Sequence, residues 1–203
     1  CDKLMSNTLQ PLSDHWRNRY LFMRHGHSLA NQQRVIVSSP GRGVENFGLS
    51  EHGEQQLAQL VADWQWPVPT RVVHSDFLRT TQTAAHVAAR FELVPSVDTR
   101  LRERNFGELE GLGDELYPSV WALDAEDAEH QHHGVEALSR VASRMQSVIG
   151  DWEQQVSGEV ILLVSHGDPL QILLTALAGK PLTSHREQTP LAPASITLYG
   201  HGV

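Results

Sequence analysis

Apolar positions along this chain fall into short unbroken runs that alternate with segments where they recur every three or four residues. Tyr20–Met23 is such a run, ends in Arg-His-Gly and reads as a buried strand. Val72 and Val73 make a second strand, Leu93–Val97 a third and Ile196–Tyr199 a last one. Val160–Val164 is the clearest, bracketed by Gly158 and Ser165-His166-Gly167. The other segments carry the helical period. Ser50 opens one in which Leu57, Leu60, Val61 and Trp64 share a face and Pro67 and Pro69 close it. Ser75 is expected to cap a helix through Thr83, Ala84, Val87 and Ala88. Leu138, Val141, Met145, Val148, Ile149 and Trp152 form one stripe of a long helix predicted over Val135–Val156. Asp168 reads as an N-cap, with Pro169 at the first helical position and Gly179 at the end.

This order predicts an α/β fold, a three-layer sandwich with a mostly parallel central sheet and helices on both faces. With no repeat or linker, residues 1–203 are expected to form a single domain. Residues 111–134 interrupt the alternation. They carry Asp114, Glu115, Asp124, Glu126, Asp127 and Glu129, no Lys or Arg, and end in His130-Gln131-His132-His133. An exposed acidic, histidine-bearing lid over one edge of the sheet is expected there, in preference to a metal site.

Composition narrows the classes. The 203 residues include 16 Lys+Arg and 24 Asp+Glu, a net charge of −8, which argues against nucleic acid or an anionic membrane as partner. One cysteine excludes an intrachain disulfide and a Cys-rich zinc site. The longest apolar stretches, Val160–Val164 and Ile172–Leu174, are far short of a membrane span. Cys1–Leu4 read as residues added ahead of a natural start at Met5, which implies a cytoplasmic protein. A processed and lipidated Cys1 is the alternative and would imply export. Oligomeric state is not indicated.

Three polar clusters follow three predicted strands: Arg24-His25-Gly26, Ser75-Asp76 with Arg79, and Ser165-His166-Gly167. Ligands of open α/β sheets bind at the carboxyl ends of the strands, so two histidines and two arginines are expected to converge. Helix N-termini opening beside them add backbone donors. A cationic pocket in an acidic protein suits a dianion such as phosphate.

Arg24-His25-Gly26-His27-Ser28-Leu29-Ala30-Asn31 resembles the R-H-G-x-S-x-x-N signature of the histidine phosphatase superfamily, in its phosphoglycerate mutase-like branch. Further matches come in the family's order. Leu49-Ser50-Glu51-His52-Gly53 with Gln56 is similar to L-[ST]-x-x-G-x-x-Q, and Ser75 to Ala84 is similar to S-x-x-x-R-x-x-x-T-A. Leu101-Arg102-Glu103 with Gly107 to Gly111 resembles the L-x-E…G-x-x-E-G block, Gly134-Val135-Glu136 a looser G-E-S element, and Val164-Ser165-His166-Gly167 the second-histidine motif. The resemblance runs from about Tyr20 to Tyr199.

It implies that His25 is a nucleophile that becomes phosphohistidine. Arg24, Arg79 and His166 would hold the phosphoryl oxygens with Asn31 assisting, and Glu103 would protonate the leaving oxygen, with no metal or cofactor. The chemistry fits. A neutral imidazole is nucleophilic near neutral pH, and adjacent arginines disfavour the imidazolium. The arginine fork matches phosphate oxygens, where transition-state charge develops. Glu108 and Glu110 compete with Glu103, Asn31 also suits a turn, and His27 is at most a pocket-lining residue. Ser38, Ser39 and Arg42 read as solvated loop.

The expected activity is hydrolysis of a small phosphomonoester. The alternatives are a phosphoglycerate mutase and a non-catalytic phosphate-binding module. The acidic 111–134 segment, with no cation to grip phosphoglycerate, argues for the hydrolase, and Arg104 beside Glu103 argues the other way.

Overall fold

The computed structural model describes residues 16–200, so the readings at Cys1 and Met5 fall outside it. Its frame is a five-stranded sheet of β1 (Arg19–Arg24), β2 (Arg71–His74), β3 (Ser96–Val97), β4 (Val160–Ser165) and β5 (Ile196–Gly200), in the order β3-β2-β4-β1-β5. The pairs β1–β4, β2–β4 and β2–β3 are parallel, and β5 runs antiparallel to β1 at one edge.

Side-chain alternation along the strands divides the core in two. Tyr20, Phe22, Ile161 and Leu163 face the layer of α6 (Leu138–Gln155) and α7 (Gly167–Leu177), against Leu138, Val141, Met145, Leu170 and Leu173. Leu21, Met23, Leu162 and Val164 face the layer of α3 (Glu51–Ala62) and α4 (Leu78–Arg90), against Leu57, Ala84 and Val87. Both central strands are therefore buried on both faces, which is why they read as unbroken apolar runs. The three-layer α/β sandwich is the observed fold. Two short helices, α1 (Leu29–Gln33) and α2 (Pro40–Gly43), lie between β1 and α3, and α5 is Tyr117–Asp124.

Several predicted boundaries move. The third strand keeps only Ser96 and Val97, because Pro95 has no N–H for a ladder. Helix α6 begins at Leu138 and not at Val135. Ala137 is extended, and the Glu136 N–H is spent on the Asn105 carbonyl at 2.8 Å. Ser50 caps α3 as predicted, accepting from the Gly53 N–H at 3.0 Å. Ser75 and Asp168 do not cap: α4 starts after Phe77 and α7 after His166. Both polar side chains are engaged elsewhere, Ser75 with His166 and Asp168 with Arg104 and Trp121.

Candidate active site

Strands β2, β4 and β1 are neighbours and end within one residue of one another at His74, Ser165 and Arg24. The residues just beyond them, Ser75, His166 and His25, emerge together, and α4 returns Arg79 to the same place. The rings of His25 and His166 lie edge to face, centroids 5.3 Å apart.

His25 Nδ1 lies 2.7 Å from the Gly26 carbonyl. A carbonyl only accepts, so Nδ1 carries the proton and Nε2 keeps the lone pair. Arg79 Nε donates to that Nε2 at 3.2 Å. Burial, then Arg79 and Arg24, hold the His25 pKa well below the ordinary histidine range, so the ring is neutral. His166 is fully buried and likewise neutral, depressed by burial and by Arg79. Its Nε2 pairs with Ser75 Oγ at 2.9 Å.

Three buried donor atoms of this cluster have no partner among the described residues: Arg24 Nε, Arg79 Nη1 and His166 Nδ1. Buried polar atoms in folded proteins are almost always bonded, so three such donors around one imidazole describe an anion site.

Glu103 stands beside them. Its Oε2 is 3.5 Å from Arg79 Nη2 and 3.9 Å from His166 Nδ1, and its Oε1 accepts from the Arg104 N–H at 2.9 Å. Burial pushes its carboxyl up to about 7 against the pull of Arg79, with Asp168 adding to the rise. Arg144 holds the loop in place by donating to the carbonyls of Arg100, Arg102 and Glu103, and is itself paired with Glu136 at 3.0 Å.

The remaining motif residues build the scaffold. Gly26 N–H donates to Thr83 Oγ1 and His27 N–H to Gln56 Oε1, both at 3.0 Å. A Cβ at Gly53 would collide with the His27 carbonyl, so only glycine lets α3 approach the loop after β1. Asn31 lines the cavity, and its Oδ1 accepts from Ser28 N–H in the cap of α1. His27 is turned away, onto Ser50 Oγ at 2.6 Å and against His52. Ser38 is no solvated loop residue. It is buried, its N–H and hydroxyl donating to Glu110, while its Oγ accepts from Phe106 N–H.

The cavity at the strand ends has a volume of about 270 Å3. Besides the cluster above, Tyr117, Trp121, Asp114, Gln171 and Arg186 line it. Helix α5 thus covers the strand ends and not an edge of the sheet. Of the six acidic residues predicted to form an exposed lid, Asp124 is fully buried. It accepts from Arg104 at 2.7 and 2.8 Å and pairs with His130 at 2.6 Å and His185 at 2.9 Å. His130 is therefore a core residue, whereas His132 and His133 are exposed. Arg186 and the aromatic pair Tyr117 and Trp121 escaped the sequence reading. The four-residue spacing of the two aromatics was the available signal, and nothing in the sequence pointed to Arg186.

The sequence profile of the histidine phosphatase superfamily (branch 1) matches residues 20–202. Among curated proteins, the glucosyl-3-phosphoglycerate phosphatase of Mycobacterium tuberculosis is 31% identical over 196 residues, covering 90% of this chain and 86% of its own. A probable phosphoglycerate mutase of Yersinia pestis is 31% identical over 170 residues, 81% of this chain and 76% of its own. Among solved structures, a mycobacterial glucosyl-3-phosphoglycerate phosphatase in complex with VO3 superposes with a TM-score of 0.74 at 29% identity, covering 89% of this chain and 91% of that one. Motif order, fold and profile agree, and the chain belongs to the histidine phosphatase superfamily, branch 1.

Proposed function

We propose that the chain is a phosphomonoester hydrolase in which His25 Nε2 takes the phosphoryl group of a small substrate and passes it to water. One observation carries this reading: the unprotonated imidazole nitrogen of His25, held by Arg79 Nε, stands among the unpartnered donors Arg24 Nε, Arg79 Nη1 and His166 Nδ1.

The steps follow from those atoms. The donors bind the non-bridging oxygens of the phosphate dianion, with Asn31 at the rim. Ser75 Oγ donates to His166 Nε2, which fixes the tautomer that presents Nδ1–H to the phosphate. His25 Nε2 attacks phosphorus in line with the ester oxygen, and Glu103 in its protonated form gives that oxygen its proton. The alcohol leaves. Glu103, now a carboxylate, takes a proton from water as the water attacks the phosphohistidine. Phosphate departs and the starting state returns. A carboxyl titrating near 7 is suited to both halves of this cycle.

The small cavity supports a small substrate. The phosphatase relatives support net hydrolysis over the mutase alternative. The deciding experiment supplies 3-phosphoglycerate with its bisphosphate primer and, separately, p-nitrophenyl phosphate. Phosphate release from either ester, lost in His25→Ala, is expected. Conversion to 2-phosphoglycerate faster than phosphate release would overturn the hydrolase, and no turnover of any ester would leave a binding module.

A further inference from the structure

Asp76 sits in the turn after β2, beside the site but outside its chemistry. Its carboxylate accepts from Arg102 at two points, Nε to Oδ1 at 2.8 Å and Nη2 to Oδ2 at 2.6 Å. Arg102 holds the Asp76 carboxyl below its ordinary range, so the pair is charged at neutral pH. Each member adjoins a residue of the site. Asp76 follows Ser75, which holds His166, and leads into the helix that carries Arg79, whereas Arg102 directly precedes Glu103. Neither lines the strand-end cavity, so neither touches a substrate there.

Glu103 has need of such a tie. Toward the phosphate side its Oε2 has only long contacts, 3.5 Å to Arg79 and 3.9 Å to His166. Its one short bond, from the Arg104 N–H, comes from its own chain neighbour. The carboxyl is therefore placed by the backbone that carries it. That backbone is pinned as far as Leu101, where Asp98 N–H donates to the His74 carbonyl and Ser165 Oγ to the Leu101 carbonyl. Beyond Leu101, Arg144 holds it from α6, and Asp124 holds Arg104 from α5. Arg102 fastens the same stretch to the turn between β2 and α4, the side on which phosphate would bind. A planar fork on a carboxylate fixes orientation as well as distance. Both side chains are partly exposed, and such a pair adds little to folding, so its consequence lies in where it puts Glu103.

We propose that Asp76 and Arg102 are a positioning pair that holds Glu103 within reach of the ester oxygen and so serves proton transfer to the leaving alcohol, not the binding of phosphate. The assignment rests on the phosphatase reading of the cavity, with His25 as nucleophile and Glu103 as acid.

The test varies the leaving group. Arg102→Met keeps the stem and removes the fork, and Asp76→Asn keeps the shape and removes the charge. In either variant kcat for glycerol 3-phosphate is expected to fall by about ten- to a hundredfold, part of what a well-placed general acid supplies. The loss on p-nitrophenyl phosphate should be much smaller, because its leaving group needs little protonation. Inhibition by vanadate should stay within about twofold, since the phosphate donors are untouched. Arg102→Lys should keep part of the alkyl ester rate, because it keeps charge without the fork. Added to Glu103→Gln, Arg102→Met should cost nothing further on either ester, as expected of a residue that acts only through Glu103. Equal losses on both esters, undiminished turnover of the alkyl ester, or a further loss in the double variant would overturn the pair's role. Hydrolysis of p-nitrophenyl phosphate that is lost in His25→Ala keeps the phosphatase reading standing in each of those cases, so the two failures are distinguishable.

Discussion

Arg79 Nε donates to His25 Nε2 at 3.2 Å, so the nitrogen proposed to attack phosphorus is already held by the arginine proposed to bind the phosphoryl oxygens. One contact does two things. It keeps the imidazole from protonating, together with the burial that dominates the shift, and it fixes the ring for in-line attack. When phosphate arrives, the arginine needs only to exchange one acceptor for another.

Removing that arginine should therefore be costly. Arg79→Ala is expected to lower kcat by roughly a hundredfold to a thousandfold, the usual loss for a preorganised oxyanion donor. Vanadate and inorganic phosphate should inhibit it far more weakly. Labelled substrate quenched without acid should mark His25 in the wild type. Label on another residue, or full turnover in His25→Ala, would refute the assignment. Chelation by EDTA is expected to leave the wild-type rate unchanged.

Glu103, as the proposed proton donor, should set the alkaline side of the pH profile. Its carboxyl is pushed up to about 7 by burial, and its acid form would be the donor. As pH rises through about 7 the donor is lost, so kcat/KM for an alkyl phosphate should fall tenfold per pH unit above that point. p-Nitrophenyl phosphate has a leaving group that needs little protonation, and its descending limb should be much shallower. Glu103→Gln should separate the same two substrates, with the larger loss on the alkyl ester. Parallel profiles for both would move the acid role to another group.

The strand ends and the two histidines were legible because they obey short-range rules. A strand buried on both faces must be an apolar run, and Arg24-His25 and His166 stand at fixed offsets from two such runs. Glu103 was legible only through its motif. Asp124 and His130 were misread, because composition reports that a segment is acidic but not that Arg104, twenty residues earlier, lies against it. The same limit hid Arg186, which packs over Trp121, sixty-five positions away in sequence. Ser75 and Asp168 show a second limit. Each sits where a cap is favoured, yet a long-range partner engages its side chain, and Ser75 Oγ accepts only from the Phe77 N–H, ahead of the first turn of α4.

The loop after β1 offers a steric test. A Cβ on Gly53 would collide with the His27 carbonyl, a backbone atom that gives way only if the loop moves. Gly53→Ala is expected to destabilise the fold by about 1–3 kcal/mol, as overpacking does. It should also reduce kcat on every ester alike, because His25 moves with His27. Full activity with unchanged stability would show that α3 does not set the loop.

Arg104 and Asp124 carry the largest stability prediction. Both side chains are fully buried, and Asp124 answers Arg104 with both oxygens while also taking His130 and His185. Asp124→Asn leaves the Arg104 charge buried with one acceptor too few, a loss of about 3–5 kcal/mol in urea unfolding. The sign of its pH dependence follows from the direction of the shift. The arginine and the two histidines hold the Asp124 carboxyl below its ordinary range, against the opposing effect of burial. A depressed carboxyl contributes stability that is present above its unfolded value and is lost as pH falls through the folded one. The gap between wild type and variant should therefore be widest near neutral pH and should shrink as the solution is acidified below the ordinary carboxylate range. Activity should fall as well, since Arg104 supplies the N–H that holds Glu103 Oε1 and anchors the wall on which Asp168 and Trp121 meet. A variant with wild-type stability at neutral pH would mean that the histidines alone satisfy this site, and that Arg104 does not depend on the aspartate facing it.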